Sequence, residues 1–253
     1  MIEICALASG SNGNSYYVGN GEEAILVDAG VSTKQLLLRM KSRGLDPGRI
    51  RAVFLSHEHS DHARGIQVLS KRQSVNIWMS KRTWGSLPVY FRPPYVKFFT
   101  PGETVTIGTF RVHTFLKNHD AAEPCSFRIS HGDKSVGVFT DIGAPCDRVK
   151  NALQECQAAF MESNYDEKML WEGPYPWPLK QRVASDVGHL SNLQALQLVQ
   201  EYAHPHLECL FLSHLSQENN TPAMAWSAFE PLHARMEVKL TSRHEASEVY
   251  RLE

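Results

Sequence analysis

The chain has 253 residues, 42% of them hydrophobic, with a formal net charge of -1 and a sequence pI near 6.9. That length and apolar content suffice for a substantial core, and Gly and Pro at 16 and 13 residues argue against broad disorder. A near-neutral chain carries no global basic field, which excludes a nonspecific coat on DNA but leaves room for a local basic groove.

In chain order, "IEICALAS" reads as a first strand and not as a signal peptide, since no cationic stretch precedes a long apolar run. The turn-rich "GSNGNS" follows, then strands "SYYVGN" and "EAILVDAG", joined at the Asn20-Gly21 hairpin signal. A helix is predicted near 32–44, with Ser32 as its cap and Gly44 as its stop. "IRAVFLSHEHSDH" is a strand running into a polar loop, with a helix near 62–72 after it. "NIWMS" and "VKFFT" are short strands. "TVTIGTFRVHTFLKNHD" reads as a hairpin turning at Gly108 and ending at His119, and "CSFRISHGDKSVGVFTDIG" as a second hairpin ending at Asp141. A helix over 147–157 precedes the strand in "QAAFMESNYD". "WEGPYPWPLKQRVA" looks irregular and aromatic. Ser191 caps a helix over 191–203, "LECLFLSHLSQENNTP" runs from strand into loop, 222–234 looks helical, and "MEVKL" is read as the last strand. Helices alternating with many short strands predict a layered α/β protein, read as one domain over 1–253. No apolar run approaches membrane-spanning length, and the five scattered cysteines, without a CxxC, read as reduced thiols of a cytoplasmic protein.

The polar residues with chemical potential all sit where an apolar run ends: Asp28, His57, His59, Asp61, His62, His119, Asp141, Glu162 and His214. Strand ends far apart in sequence converge at one edge of a sheet, where binding atoms commonly gather. In "HEHSDH", two imidazoles at i and i+2 point the same way on extended backbone, and Asp61 and His62 follow in a turn at a helix start. So many donors packed this tightly suit two neighbouring ions better than one tetrahedral ion. Imidazole fits Zn or Fe, and carboxylate admits Mn. Asp141 is the natural bridging carboxylate, and Asp28 is expected to anchor a ligand imidazole or its loop. His113, His131, His204, His206, His233 and His244 lack such a context and are read as structural or exposed.

Taken together, "LVDAG", "HEHSDH", "KNHD", "FTDIG" and "LSHLS" resemble the motifs of the metallo-β-lactamase superfamily, in order and over nearly the whole chain. That resemblance implies a four-layer αββα sandwich with two divalent ions at one edge of its sheets. It assigns His57, His59 and His119 to one ion, Asp61, His62 and His214 to the other, and Asp141 to both. "LASGSNGNS", "ESNYD", "GHLSN" and "LSHLSQENN" are similar to the YycJ (WalJ) branch, which is linked to exonuclease action on double-stranded DNA from the 5′ end. That branch usually carries His where this chain has Tyr165. "FMESNYD" and "GHLSN" also resemble ribonuclease Z, which implies that Glu162 orients His189 for proton transfer to the leaving oxygen. The chain lacks the long arm with which ribonuclease Z holds tRNA.

The expected reaction is hydrolysis of a phosphodiester by water placed between two ions roughly 3.5–4 Å apart, with Asp61 helping to orient the nucleophile. The expected substrates are DNA ends, or RNA ends. The alternatives are a small-molecule metallohydrolase, such as a cyclic phosphodiesterase or lactonase, and a metal-containing regulatory protein of cell-envelope signalling. Donors in "SGSNGNS" and "SQENN" are candidates for phosphate contact. Two aromatic stretches, with Trp84, Tyr90, Phe91, Arg92, Tyr95 and Lys97 in one and Trp171, Tyr175, Trp177, Lys180 and Arg182 in the other, are candidates for stacking bases and holding backbone. The sequence carries no signal for oligomeric state.

Overall fold

The computed structural model describes residues 1–253. The strands form two seven-stranded sheets. The first contains β1 (Ile2–Ala8), β2 (Ser15–Gly19), β3 (Ala24–Val27), β4 (Ile50–Phe54), β5 (Asn76–Met79) and β6 (Val96–Phe98) in that spatial order. The second contains β7 (Thr104–Ile107), β8 (Phe110–Leu116), β9 (Cys125–His131), β10 (Lys134–Phe139), β11 (Ala158–Glu162), β12 (Cys209–Ser213) and β13 (Glu237–Leu240), also in chain order. The chain then returns as β14 (Tyr250–Leu252), antiparallel to β1 with Leu252 opposite Ile2.

Alternation along each strand builds the four expected layers. In β4, Ala52 and Phe54 enter a core shared by both sheets, whereas Val53 joins a second core under α1 (Thr33–Ser42). In β12, Cys209 and Phe211 face the shared core, and Leu210 and Leu212 face outward toward a third. With both faces covered, these strands read as continuous apolar runs and not as an alternating pattern.

Several element boundaries differ from expectation, each for a local reason. The helix expected over 62–72 is split into α2 (Ser60–Ala63) and α3 (Ile66–Gln73) at Gly65. There the backbone approaches so closely that an added Cβ would lie 2.3 Å from the Val31 carbonyl oxygen. A short α4 (Lys81–Ser86), capped by Ser80, follows β5 and had no strong apolar period to announce it. α5 (Asp147–Leu153) stops four residues short of 157. The stretch expected to be irregular holds α6 (Glu167–Glu172) and α7 (Trp177–Val183), because its prolines precede and open a helix instead of interrupting one. α8 (Asn192–Tyr202) carries the full capping box of Ser191 and Gln194. The helix expected over 222–234 shortens to α9 (Pro222–Ala228), followed by a separate 3₁₀ turn at Glu230–Leu232. β13 is an edge strand of the second sheet, and β14 is the true last strand. No helix is long and apolar enough to cross a membrane.

Candidate metal centre

β3 and β4 run parallel in the first sheet, and β10, β11 and β12 run parallel in the second. Their C-terminal ends share one edge of the sandwich. Beyond each end the chain turns sharply. Asp28, Asp141 and His214 all adopt left-handed backbone, with φ of 62°, 55° and 58°. Such non-glycine residues are uncommon and are enriched for Asp, Asn and His. The first and second motifs are locked to each other by backbone: Ala29 N donates to His62 O at 2.9 Å and Gly65 N to Ala29 O at 2.7 Å. Gly30 is required at that crossing, since a Cβ there would meet the Asp61 carbonyl at 1.5 Å.

Three groups of donors result, the third (Asp141, Glu162, His189 and His214) overlapping the second, and two of them hold the expected ligands. The first joins His57, His59 and His119; the second joins Asp61, His62, Asp141 and His214. In the first, His57 Nδ1 lies 2.9 Å from Ser56 Oγ and its Nε2 lies 3.1 Å from His59 Nδ1. His119 Nδ1 donates to the Gly188 carbonyl at 3.2 Å, which turns its Nε2 into the site. In the second, His62 Nδ1 meets Asp28 Oδ2 at 2.7 Å, and its Nε2 lies 3.3 Å from Asp61 Oδ2 and 3.2 Å from Asp141 Oδ2. His214 Nδ1 meets Glu162 Oε1 at 2.8 Å, leaving Nε2 toward Asp61. Asp141 Oδ1 stands 3.8 Å from His119 Nε2, so this carboxylate lies between the groups.

The donor set fits two divalent ions. His119 Nε2, His214 Nε2 and Asp141 Oδ2 are buried without a hydrogen-bond partner, and orphaned atoms of this kind are costly unless something else satisfies them. Imidazole nitrogen with carboxylate oxygen suits borderline ions such as Zn, Fe or Mn. Asp28, Ser56 and the Gly188 carbonyl fix ring orientation from behind, as outer partners of metal-binding histidines commonly do. Asp28 also accepts from Ser56 N and Ser56 Oγ, both at 2.8 Å.

Electrostatics divide the groups. Burial, reinforced by the charges of His62 and Lys117, holds His57 well below the ordinary histidine range. Burial likewise lowers His119 to about 4, with Lys117 and His189 adding to the effect. In the second group burial also opposes charge, but the carboxylates override it. Asp141, Asp61 and Glu162 raise His214 to about 10, and Asp141, Asp61 and Asp28 raise His62 well above its usual range.

Glu162 is the last residue of β11 and fully buried. It accepts from Asp141 N at 3.0 Å, Ile142 N at 2.8 Å, Leu190 N at 3.1 Å, His189 Nδ1 at 2.9 Å and His214 Nδ1 at 2.8 Å. Burial would push its carboxyl up, but the charges and hydrogen bonds of His189 and His214 pull it down to about 2. It is therefore a fixed anion that ties three motifs together. His189 is the outermost member, with 22% of its side chain exposed.

Some expectations change. Asn14 and Ser9 of "SGSNGNS" are not free for phosphate. Asn14 Nδ2 reaches His62 Nε2 at 3.2 Å and Asp61 Oδ2 at 3.4 Å, and Ser9 Oγ accepts from His214 N at 2.7 Å. In the second aromatic stretch, Lys180 Nζ donates to Trp171 O at 2.6 Å and Arg182 pairs with Asp120, so neither cation is spare. Lys117 escaped notice. It is buried, donates to Thr140 O at 2.7 Å and stands 3.8 Å from Asp141 Oδ2. A lysine two residues before His119 carries no sequence signal beyond its neighbour. Tyr165 is buried and bridges to Ser191, next to the Glu162–His189 pair and outside both donor groups. The six histidines read as structural or exposed lie outside these groups.

The sequence model of the metallo-beta-lactamase superfamily matches residues 8–214. The chain belongs to that superfamily. Within this superfamily it also belongs with exodeoxyribonuclease YycJ of Bacillus anthracis, to which it is 35% identical over 227 residues, 88% of this chain and 86% of that protein. Ribonuclease Z of Pyrococcus furiosus is a more distant member, 30% identical over 160 residues that span 56% of this chain and 48% of its own. Among solved structures, the metallo-beta-lactamase fold protein YhfI of Bacillus subtilis superposes with a TM-score of 0.74 at 18% identity, covering 98% of this chain and 100% of that one.

Proposed function

We propose that this superfamily member is a two-metal phosphodiesterase that degrades DNA from its ends, on duplex and from the 5′ side. The whole chain acts as one unit, since a single core draws residues from both sheets. The observation that carries the reading is the Glu162–His189 pair at 2.9 Å, touching the second donor group through His214. A phosphodiester's leaving alkoxide needs a proton, and a histidine backed by a buried carboxylate beside the ions can supply it. The name of the Bacillus anthracis relative agrees with that choice of substrate.

In this reading His57, His59 and His119 hold one ion, Asp61, His62 and His214 hold the other, and Asp141 serves both. Divalent ions bound there supply Lewis acidity toward the phosphoryl oxygens and toward the attacking water. Asp61, on the solvent side of the second group, accepts a hydrogen bond from that water and aims it. Glu162 remains an anion and accepts the Nδ1–H of His189, which supports the imidazolium form whose Nε2 proton passes to the departing oxygen and leaves a neutral ring. Glu162 is thus a positioning residue, and His189 is the proton donor. Asp28 and Ser56 hold the rings of His62 and His57.

The test measures metal content and then activity on duplex and single-stranded DNA labelled at the 5′ or the 3′ end, beside bis-p-nitrophenyl phosphate. Progressive release of the 5′ label from duplex is expected. Turnover of the small diester without shortening of any polymer would sink the exonuclease reading.

A further inference from the structure

Residues 62–102 hold seven Lys or Arg and no Asp or Glu, leaving 19 basic against 27 acidic residues in the rest of the chain. The near-neutral total therefore conceals one strongly basic segment. The seven are Arg64, the Lys71–Arg72 and Lys81–Arg82 pairs, Arg92 and Lys97. None of them takes part in an ion pair, although cations elsewhere in the chain do. Six are exposed and Arg92 is half-buried.

These cations fall in three places between the metal edge and the opposite edge of the first sheet, and Glu123 lines the same cavity as Lys81 and Arg82. Arg64 donates to Asn12 O at 3.4 Å, beside the loop that carries Asn14. Lys81 and Arg82 open α4, whose Thr83 Oγ1 donates to Glu123 O at 3.4 Å in the loop after His119. Farther along, Gln67, Val68, Lys71 and Arg72 of α3 face Arg92 and Tyr95 across a groove of 890 Å³. Val68 and Tyr95 are 53% and 47% exposed there. Arg92 lies 4.9 Å over the Trp84 ring, which fixes its guanidinium at the rim.

We infer that this basic segment, centred on the groove between α3 and residues 92–95, tracks the phosphate backbone of the nucleic acid whose end occupies the metal centre. The inference rests on the nuclease reading. Duplex DNA presents about one negative charge per 1.7 Å of axis, so a row of uncompensated cations beside apolar and aromatic side chains is complementary to it. Lys97 has a second use, guarding the exposed edge of β6. Lys71 and Arg72 also suit the last turn of α3. Neither use accounts for seven cations that make no ion pair.

The test uses the metal-loaded protein and a duplex capped by phosphorothioate linkages at both ends of each strand. Lys71 and Arg72 make no side-chain hydrogen bond, so the double variant K71Q/R72Q removes charge without breaking a contact. Its thermal melt is recorded to confirm folding, and Arg72→Lys serves as the conservative control. The expected result is a rise in Kd, a salt slope of log Kd smaller by about two, and unchanged turnover of bis-p-nitrophenyl phosphate. Wild-type Kd and slope in K71Q/R72Q and in R92Q would overturn the inference, as would wild-type protein that binds poly-glutamate as tightly as DNA. Cleavage by the wild type is scored separately: a wild type that shortens labelled duplex while these variants bind it normally keeps the nuclease reading and loses only this surface.

Discussion

The two donor groups share a carboxylate and a sheet edge, yet they are built on opposite electrostatic plans. The first is three imidazoles with neutral outer partners, a serine hydroxyl and a carbonyl. Burial, reinforced by Lys117, holds His57 and His119 below the ordinary histidine range. The second sets two imidazoles against two carboxylates, and behind each ring stands another buried carboxylate, Asp28 or Glu162. Without an ion, the first group is held by a contact between its own imidazoles, His57 Nε2 to His59 Nδ1, whereas the second is charge-balanced by its own protons. A cation replaces that contact in the first group and displaces protons in the second.

Five measurements test that contrast. Asp141→Ala should do the most damage, because it alone faces both groups: turnover should vanish and metal analysis should show loss from both. Glu162→Gln comes next. It weakens the hold on His214 and His189 together, so activity should fall by at least the roughly 10²–10⁴-fold of a lost proton donor, with metal depleted from the second group only. His189→Ala should cost about 10²–10⁴-fold in kcat with both ions retained. Metal loss matching that of His59→Ala would show the role to be wrong. Asp28→Asn should weaken metal affinity about 10–100-fold at the second group while the first, read by titration with a chromophoric chelator, stays filled. The smallest effect concerns protons. His214, near 10 without metal, is charged at neutral pH and must yield a proton to bind an ion, whereas His119, near 4, is already neutral. Calorimetry in buffers of different ionisation enthalpy should therefore detect about one or more protons released on filling the second group and almost none on filling the first. As pH falls from 7 toward 5, the second group should empty before the first.

The layered fold and the candidate ligands are legible in the sequence because strand ends are marked by short-range order, whereas the division of those ligands into two groups comes from the family resemblance. A strand of continuous apolar residues followed at once by Asp or His marks a buried strand and its C-terminal end, as at Val27-Asp28 or Ser213-His214. What the sequence hid was tertiary. Nothing near Asn14 or Lys117 announces that they lean on His62 and Asp141 across more than 20 positions. The prolines at 174, 176 and 178 looked like breakers, yet Pro178 sits in the first turn of α7, where its missing donor costs nothing. The basic segment was diluted in a whole-chain charge near zero, and its groove at Lys71, Arg72 and Arg92 forms only when α3 packs beside residues 92–95.

The left-handed turns at residues 28, 141 and 214 carry a consequence for substitution. Each position must accept positive φ and also offer a proton- or metal-binding atom. Glycine meets the first demand and fails the second, while glutamate and cysteine bind metals but tolerate that backbone poorly. Aspartate, asparagine and histidine are the residues enriched in that backbone that also offer such an atom, and this chain uses Asp, Asp and His there. Replacing any of the three by a residue that resists positive φ strains the loop as well as removing the chemistry.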